Sequence, residues 1–138
     1  MKCYIEEFRE KLMSPSILIV DDEPHIRLLL QQTLEELEDE GVELLIADNG
    51  EAALAIIKEQ KPDLIFLDVM MPKMNGFDVC NAVKNELGLS DVFVIMLTAK
   101  GQEFDKQQGE KVGANLYMTK PFDPDEVLEK SMEILGMC

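Results

Sequence analysis

Four short apolar runs in this chain each stop on a polar residue with reactive chemistry. Ile17 to Val20 ends on Asp21 and Asp22, Leu64 to Leu67 on Asp68, Val92 to Leu97 on Thr98, and Leu116 to Met118 leads to Lys120. A β-rich run without polar alternation is buried on both faces, the mark of an interior strand in a parallel sheet. Parallel neighbours need crossover connections, which are right-handed almost without exception, so helices must cover both faces of the sheet. The chain is thereby confined to an α/β sandwich. In such open sheets ligands sit outside the carboxyl ends of the strands, so three carboxylates, a hydroxyl and an ammonium converge on one mouth. Carboxylate oxygens hold a hard divalent cation, an ammonium and a hydroxyl can grip a phosphoryl group, and a carboxylate beside them can act as nucleophile. The set points to phosphoryl transfer onto Asp68.

Composition narrows the partners. A chain of 138 residues makes one domain with a core of its own. With 28 acidic against 13 basic residues the net charge is −15, which repels nucleic-acid backbones and anionic lipid headgroups; direct binding to nucleic acid or membrane is not expected. Cys3, Cys80 and Cys138 match no metal or redox spacing and read as free thiols of a reducing compartment. No apolar stretch reaches the roughly 18 residues of a membrane span, and Glu6, Glu7 and Glu10 do not suit a signal peptide. The expected location is cytoplasmic.

Residues 1–13 read as an amphipathic leader, with Tyr4, Ile5, Phe8 and Leu12 at near-helical spacing, and residues 14–138 as the folded domain. Strand β1 is expected at 17–20. Helix α1, over 24–37, starts at Pro24 and buries Ile26, Leu29, Leu30, Leu34 and Leu37. Strand β2 follows at 42–47, then α2 over 51–60, between Asn49-Gly50 and Lys61-Pro62, with Ala53, Ile56 and Ile57 inward. β3 is expected at 64–69, α3 over 77–87 with Phe77, Val79, Cys80 and Val83 buried, and β4 at 92–97. A polar, weakly amphipathic α4 over 102–112 precedes β5 at 115–119. Asp123, Pro124 and Glu126 supply a cap, an N1 proline and a capping-box acid for α5 over 124–135. The pattern is (βα)₅.

Val20-Asp21-Asp22-Glu23, Leu67-Asp68-Val69-Met70-Met71-Pro72, Met74-Asn75-Gly76, Thr98-Ala99 and Tyr117-Met118-Thr119-Lys120-Pro121-Phe122 resemble the receiver domain of two-component response regulators over about residues 16–136. The resemblance implies a flavodoxin-like doubly wound sheet in the order 2-1-3-4-5, taken from known folds of this class, which sets β1 beside β3. It implies Asp68 as phosphoacceptor, with Lys120 and Thr98 assisting. It implies Mg²⁺, or Mn²⁺ in its place, on Asp21, Asp22, Asp68 and the Met70 carbonyl, and a phosphoryl group held by Thr98, the Ala99 backbone N–H and Lys120. Thr98 and Tyr117 would form the switch, changing the α4–β5–α5 face, and the Lys120-Pro121 bond would be cis, as it is in many members. The implied donor is a sensor histidine kinase or a phosphotransfer protein. The implied output is a downstream protein bound to that face by a monomer or weak dimer. Asn75, where Asp is also common, and the added leader are the departures.

Simpler readings exist for single residues. Asp21 and Asp22 fit a helix cap and a first-turn acid, Tyr117 fits core or rim, and His25 fits a surface residue. The run Glu35, Glu36, Glu38, Asp39, Glu40 fits a solvated face that opposes the dipole at the end of α1. Asp68 has no such excuse, because an unpaired buried charge costs several kcal/mol. The expected protein is a stand-alone receiver that is not an enzyme beyond its own phosphorylation and dephosphorylation. A phosphorelay intermediate feeding a histidine phosphotransfer protein is the alternative. A metal-dependent aspartyl phosphatase of the haloacid-dehalogenase type would want a second Asp where Met70 stands, and a flavin binder would want a hydroxyl- and glycine-rich loop where Asp21-Asp22-Glu23 stands.

Overall fold

The computed structural model describes residues 14–99, 107 and 110–137. The leader at 1–13, Cys3, Cys138 and most of α4 lie outside the described residues, although residues 107 and 110–112 are helical. Five parallel strands, β1 (Ser16–Val20), β2 (Glu43–Ala47), β3 (Leu64–Asp68), β4 (Phe93–Ala99) and β5 (Leu116–Lys120), pair in the order β2-β1-β3-β4-β5. β1 and β3 are buried along their whole length.

Alternation across the pleat splits the core in two. Leu18, Val20, Ile65, Leu67, Val94 and Met96 face α2 (Gly50–Gln60) and α3 (Gly76–Asn81), meeting Ala53, Ile57, Phe77 and Val79. Ile17, Ile19, Leu64, Phe66, Ile95 and Leu97 face α1 (Pro24–Thr33) and α5 (Pro124–Ile134), meeting Leu30, Val127 and Leu135. Burying each such side chain contributes about 1.5–3 kcal/mol, and both layers rest on the same strands. Among the described residues no helix is long and apolar enough to cross a membrane.

Helix ends follow local chemistry, with corrections to the sequence reading. Asn49 caps α2 through Ala52 N–H at 2.8 Å, and Lys61 ends it in the left-handed region at φ 47°. Helix α3 opens with a capping box: Asn75 accepts from Asp78 N–H while Asp78 accepts from Asn75 N–H. Asp123 caps α5 through Asp125 N–H at 2.9 Å, one residue earlier than the expected box with Glu126. The single long α1 is broken at Leu34, and a short helix, Glu35–Asp39, follows. The Thr33 hydroxyl donates to the Leu29 carbonyl at 2.8 Å, a back-bond that bends helices. Glu35, Glu36 and Glu38 therefore occupy a first turn, where acids suit the dipole, instead of opposing it. Helix α3 also widens into a π-helical turn, Ala82–Glu86.

Register places the chemistry. Val20 is paired with Leu67, Asp68 with Leu97, Thr98 with Thr119 and Ala99 with Lys120, so all the strand ends of interest open on one rim. β4 and β5 each run farther than expected, carrying Thr98, Ala99 and Lys120 as strand residues, and the Lys120-Pro121 bond is cis. Gly76 closes the rim from below: its N–H donates to the Val69 carbonyl at 3.0 Å, and a Cβ there would stand 2.4 Å from the Asp68 carbonyl oxygen. Gly76→Ala must push the Asp68 backbone aside, and such overpacking costs about 1–3 kcal/mol. Urea unfolding of the variant is expected to show that loss, and an unchanged midpoint would mean that the loop yields freely.

Candidate phosphoryl-transfer site

Asp21 follows β1 and is completely buried. Its N–H donates to the Ala47 carbonyl at 3.3 Å, its carbonyl accepts from Arg27 Nη1 at 2.7 Å, and its Oδ1 accepts from Glu23 N–H at 2.9 Å. Oδ2 makes no aligned hydrogen bond; the Lys120 ammonium lies 2.9 Å away as an ion pair. Neither Asp21 nor Asp22 caps α1, because the N-cap is Glu23 and its side chain makes no cap bond. The simple capping reading therefore fails for this pair. Arg27 lies outside the sequence-based site; its signal is a cation one turn into the helix that follows the two aspartates.

Asp68 ends β3 at 3 % exposure. Its Oδ1 accepts from Lys120 Nζ and from Met70 N–H, each at 3.2 Å. Asp22 is exposed, yet one carboxylate oxygen each from Asp21, Asp22 and Asp68 lies within 4.8 Å of the others. Burial and the neighbouring Asp21 charge push the Asp68 carboxyl up to about 7, against the opposing pull of Lys120. Burial alone would lower the pKa of Lys120, but its contact with Asp21 and the charges of Asp68 and Asp21 outweigh this and raise it. The ammonium is thus firmly charged between two carboxylates that repel each other.

Thr98 is buried, next to the residue that pairs with Asp68. Ala99 ends β4 opposite Lys120 and is exposed. Tyr117 pairs with Met96, is half-buried, and packs against the cluster on the α2 and α3 face. Met70 lies in the loop just past Asp68 and is 61 % exposed. His25 is exposed, 3.4 Å from Glu23. A buried carboxylate oxygen without an aligned donor, two further hard oxygens beside it and a mouth open to solvent suit a hard divalent cation that keeps some of its waters.

Comparison with known proteins gives the same picture. The model of the response regulator receiver domain matches residues 17–131. The chain is 46 % identical over 123 residues to the alkaline phosphatase synthesis transcriptional regulatory protein PhoP of Bacillus subtilis, covering 89 % of this chain and 49 % of that protein. It is 43 % identical over 124 residues to the phosphate regulon transcriptional regulatory protein PhoB of Pseudomonas aeruginosa, covering 90 % of this chain and 53 % of that one. The chain thus spans about half the length of these relatives. Among solved structures, the chemotaxis response regulator CheY4 of Vibrio cholerae superposes with a TM-score of 0.76 at 34 % identity, over 88 % of this chain and 99 % of that one.

Two outcomes follow from the electrostatics. Burial and Asp21 push the Asp68 carboxyl up to about 7 in the folded chain, against an ordinary aspartate value of about 4. This group's contribution to stability is therefore complete below about pH 4 and is lost as pH rises through 7. In EDTA, the difference in melting temperature between wild type and Asp68→Asn is expected to grow in the mutant's favour across that window; parallel curves would refute the assignment. Asp22→Asn removes one of three clustered charges, so it is expected to melt higher than wild type in EDTA and to gain less from added Mg²⁺. A mutant no more stable than wild type in EDTA would exclude a repulsive cluster.

Proposed function

The chain belongs to the response regulator receiver domain family, and from that premise we propose that Asp68 accepts a phosphoryl group from a phosphohistidine. The donor is a sensor histidine kinase or a phosphotransfer protein. The observation that carries the reading is the Asp68 carboxylate itself, buried at a strand end and sharing one site with Lys120, Asp21 and Asp22. An Asp68 oxygen attacks phosphorus, a P–O bond forms as the P–N bond breaks, and the electron pair of that bond leaves on the histidine nitrogen. The product is an acyl phosphate, which water cleaves to the free carboxylate and inorganic phosphate.

The roles of the neighbours follow from charge and reach. Asp21, Asp22, Asp68 and the Met70 carbonyl would hold Mg²⁺, which when bound offsets the carboxylate cluster and the incoming phosphoryl charge. The Lys120 ammonium can exchange its hold on Asp68 for a phosphoryl oxygen, acting as a mobile point charge. The Thr98 hydroxyl and the Ala99 N–H are suited to donate to another oxygen. Withdrawal of Lys120 and Thr98 toward the phosphoryl group changes what surrounds Tyr117, and the change is read on the α4–β5–α5 face by a downstream protein. The chain acts as a phosphoacceptor that catalyses its own modification and its reversal, without a separate substrate turned over.

Acetyl phosphate with Mg²⁺ is expected to add one phosphoryl group per chain, in a bond that hydroxylamine cleaves, and EDTA is expected to suppress the addition. Asp68→Asn keeps the shape but loses the nucleophile and is expected to abolish it. Lys120→Ala is expected to permit some incorporation while silencing the response at Tyr117. Intact-mass spectrometry decides: equal incorporation into wild type and Asp68→Asn would place the acceptor elsewhere.

A further inference from the structure

The phosphoryl-transfer chemistry leaves unused the contact of Arg27 with the loop between β1 and α1. Arg27 is the fourth residue of α1, half-buried, and its N–H donates to the Glu23 carbonyl at 3.2 Å as the helix opens. Helical side chains lean toward the N-terminus of their own helix, so a long side chain one turn in reaches back over the loop before it. Its Nη1 donates to the Asp21 carbonyl at 2.7 Å, a length typical of hydrogen bonds from a charged donor. The support is firm, because Leu30 and the C-cap Leu34 are completely buried in the core. Glu23 gives α1 no side-chain cap, so Arg27 supplies a tie between helix and loop.

The oxygen that Arg27 grips belongs to the peptide that joins Asp21 to Asp22. A peptide unit is planar, so fixing its oxygen orients the Cα atoms on both sides, and each of them bears a carboxylate of the cluster. Asp21 is also held from elsewhere, its N–H donating to the Ala47 carbonyl at 3.3 Å and its Oδ1 accepting from Glu23 N–H at 2.9 Å. The Arg27 bond reaches one residue farther, to the exposed Asp22. Because its partner here is a neutral oxygen, charge and geometry act in opposite directions: a positive charge beside the mouth repels a divalent cation, whereas an ordered pair of carboxylates attracts one. The sign of the effect separates the two roles.

We propose that Arg27 is a positioning residue for the cation site, holding the Asp21–Asp22 peptide so that both carboxylates face one divalent ion, and that this order raises Mg²⁺ affinity by more than the charge lowers it. The inference rests on Asp21, Asp22 and Asp68 being the Mg²⁺ ligands. In this role Arg27 touches neither the ion nor the phosphoryl group and acts through the peptide alone. Without the clamp the loop presents its two carboxylates over a range of orientations, and binding then has to order them at a cost in entropy.

Calorimetric titration of the full chain with Mg²⁺ alone reads the affinity, and melting in EDTA reads the fold. Arg27→Gln and Arg27→Met both remove the charge and the reach, one with a polar stem and one with an apolar stem, so a folding failure of either leaves the other to decide. Each is expected to melt roughly 5 °C lower in EDTA and to bind Mg²⁺ about tenfold more weakly, the lower end of what partners of metal ligands contribute. Arg27→Lys, which keeps the charge and a donor, is expected to recover part of that affinity. With acetyl phosphate, intact mass is expected to show slow phosphoryl uptake by Arg27→Gln at limiting Mg²⁺ and wild-type uptake at saturating Mg²⁺. Unchanged Mg²⁺ binding by a folded Arg27→Gln or Arg27→Met would reduce the bond to a structural one, and tighter binding would make Arg27 a repulsive charge; either overturns the positioning role. An uptake deficit that saturating Mg²⁺ does not restore overturns it too, by putting Arg27 on the phosphoryl group. A wild-type chain that binds no Mg²⁺, or an Asp22→Asn variant that binds it as tightly as wild type, refutes the cation site itself, a result distinct from an intact site that is indifferent to Arg27.

Discussion

Strand order forces Asp21 and Asp68 side by side, and their repulsion inside the protein is offset by one ammonium, that of Lys120, at 2.9 and 3.2 Å. The cation comes from two strands away. Asp68 pairs with Leu97 and Lys120 with Ala99, so the lysine must reach back across the end of β4 to touch both carboxylates. Removing one partner from a buried ion pair leaves an uncompensated charge at a cost of about 3–5 kcal/mol. The sheet must therefore close in one order and one register for the site to be tolerated at all.

The surrounding structure shows how such a site is carried. β1 and β3, whose ends bear the aspartates, are the strands buried throughout, and each is packed on both faces by an apolar cluster. Their rigidity fixes the backbone on which the charges stand; the Glu23 N–H then holds the Asp21 carboxylate, and the Arg27 guanidinium holds the Asp21 backbone carbonyl. What remains strained is electrostatic, with the Asp68 carboxyl pushed up to about 7 by burial and by Asp21. Perturbation of that kind is the common mark of functional sites. Here it makes the mouth responsive, because a bound cation or a phosphoryl group changes the balance that Lys120 keeps.

Most of the fold was legible because its signal is one of periodicity. Uninterrupted runs such as Leu64 to Leu67 admit few alternatives to an interior parallel strand, and the polar residues that end them placed the site. The misreadings fall where short-range hydrogen bonds override the pattern. The apolar stripe through Leu30, Leu34 and Leu37 continues smoothly, while the Thr33 back-bond interrupts the helix beneath it. The widening of α3 at Ala82–Glu86 leaves no trace in the spacing of Cys80 and Val83, since both are buried whether or not the turn is α. Arg27 carries only a positional signal, one turn into α1, because its contact is with a backbone carbonyl, and such contacts have no complementary residue in the sequence.

Two half-buried lysines show how the same side chain is put to different ends by its partners. Lys120 faces carboxylates, which raise its pKa despite burial, so it is a fixed positive charge that any new negative group at the mouth must compete for. Lys84 donates to backbone carbonyls, and burial, only partly opposed by the Cys80 and Asp91 charges, lowers its pKa. One stands at the carboxyl ends of the strands, the other where β4 begins. β4 and β5 run between them, with Thr98 and Lys120 at one end and Val94 and Asn115 joined by two hydrogen bonds at the other, so the charged end of the sheet stands on a base held by neutral contacts.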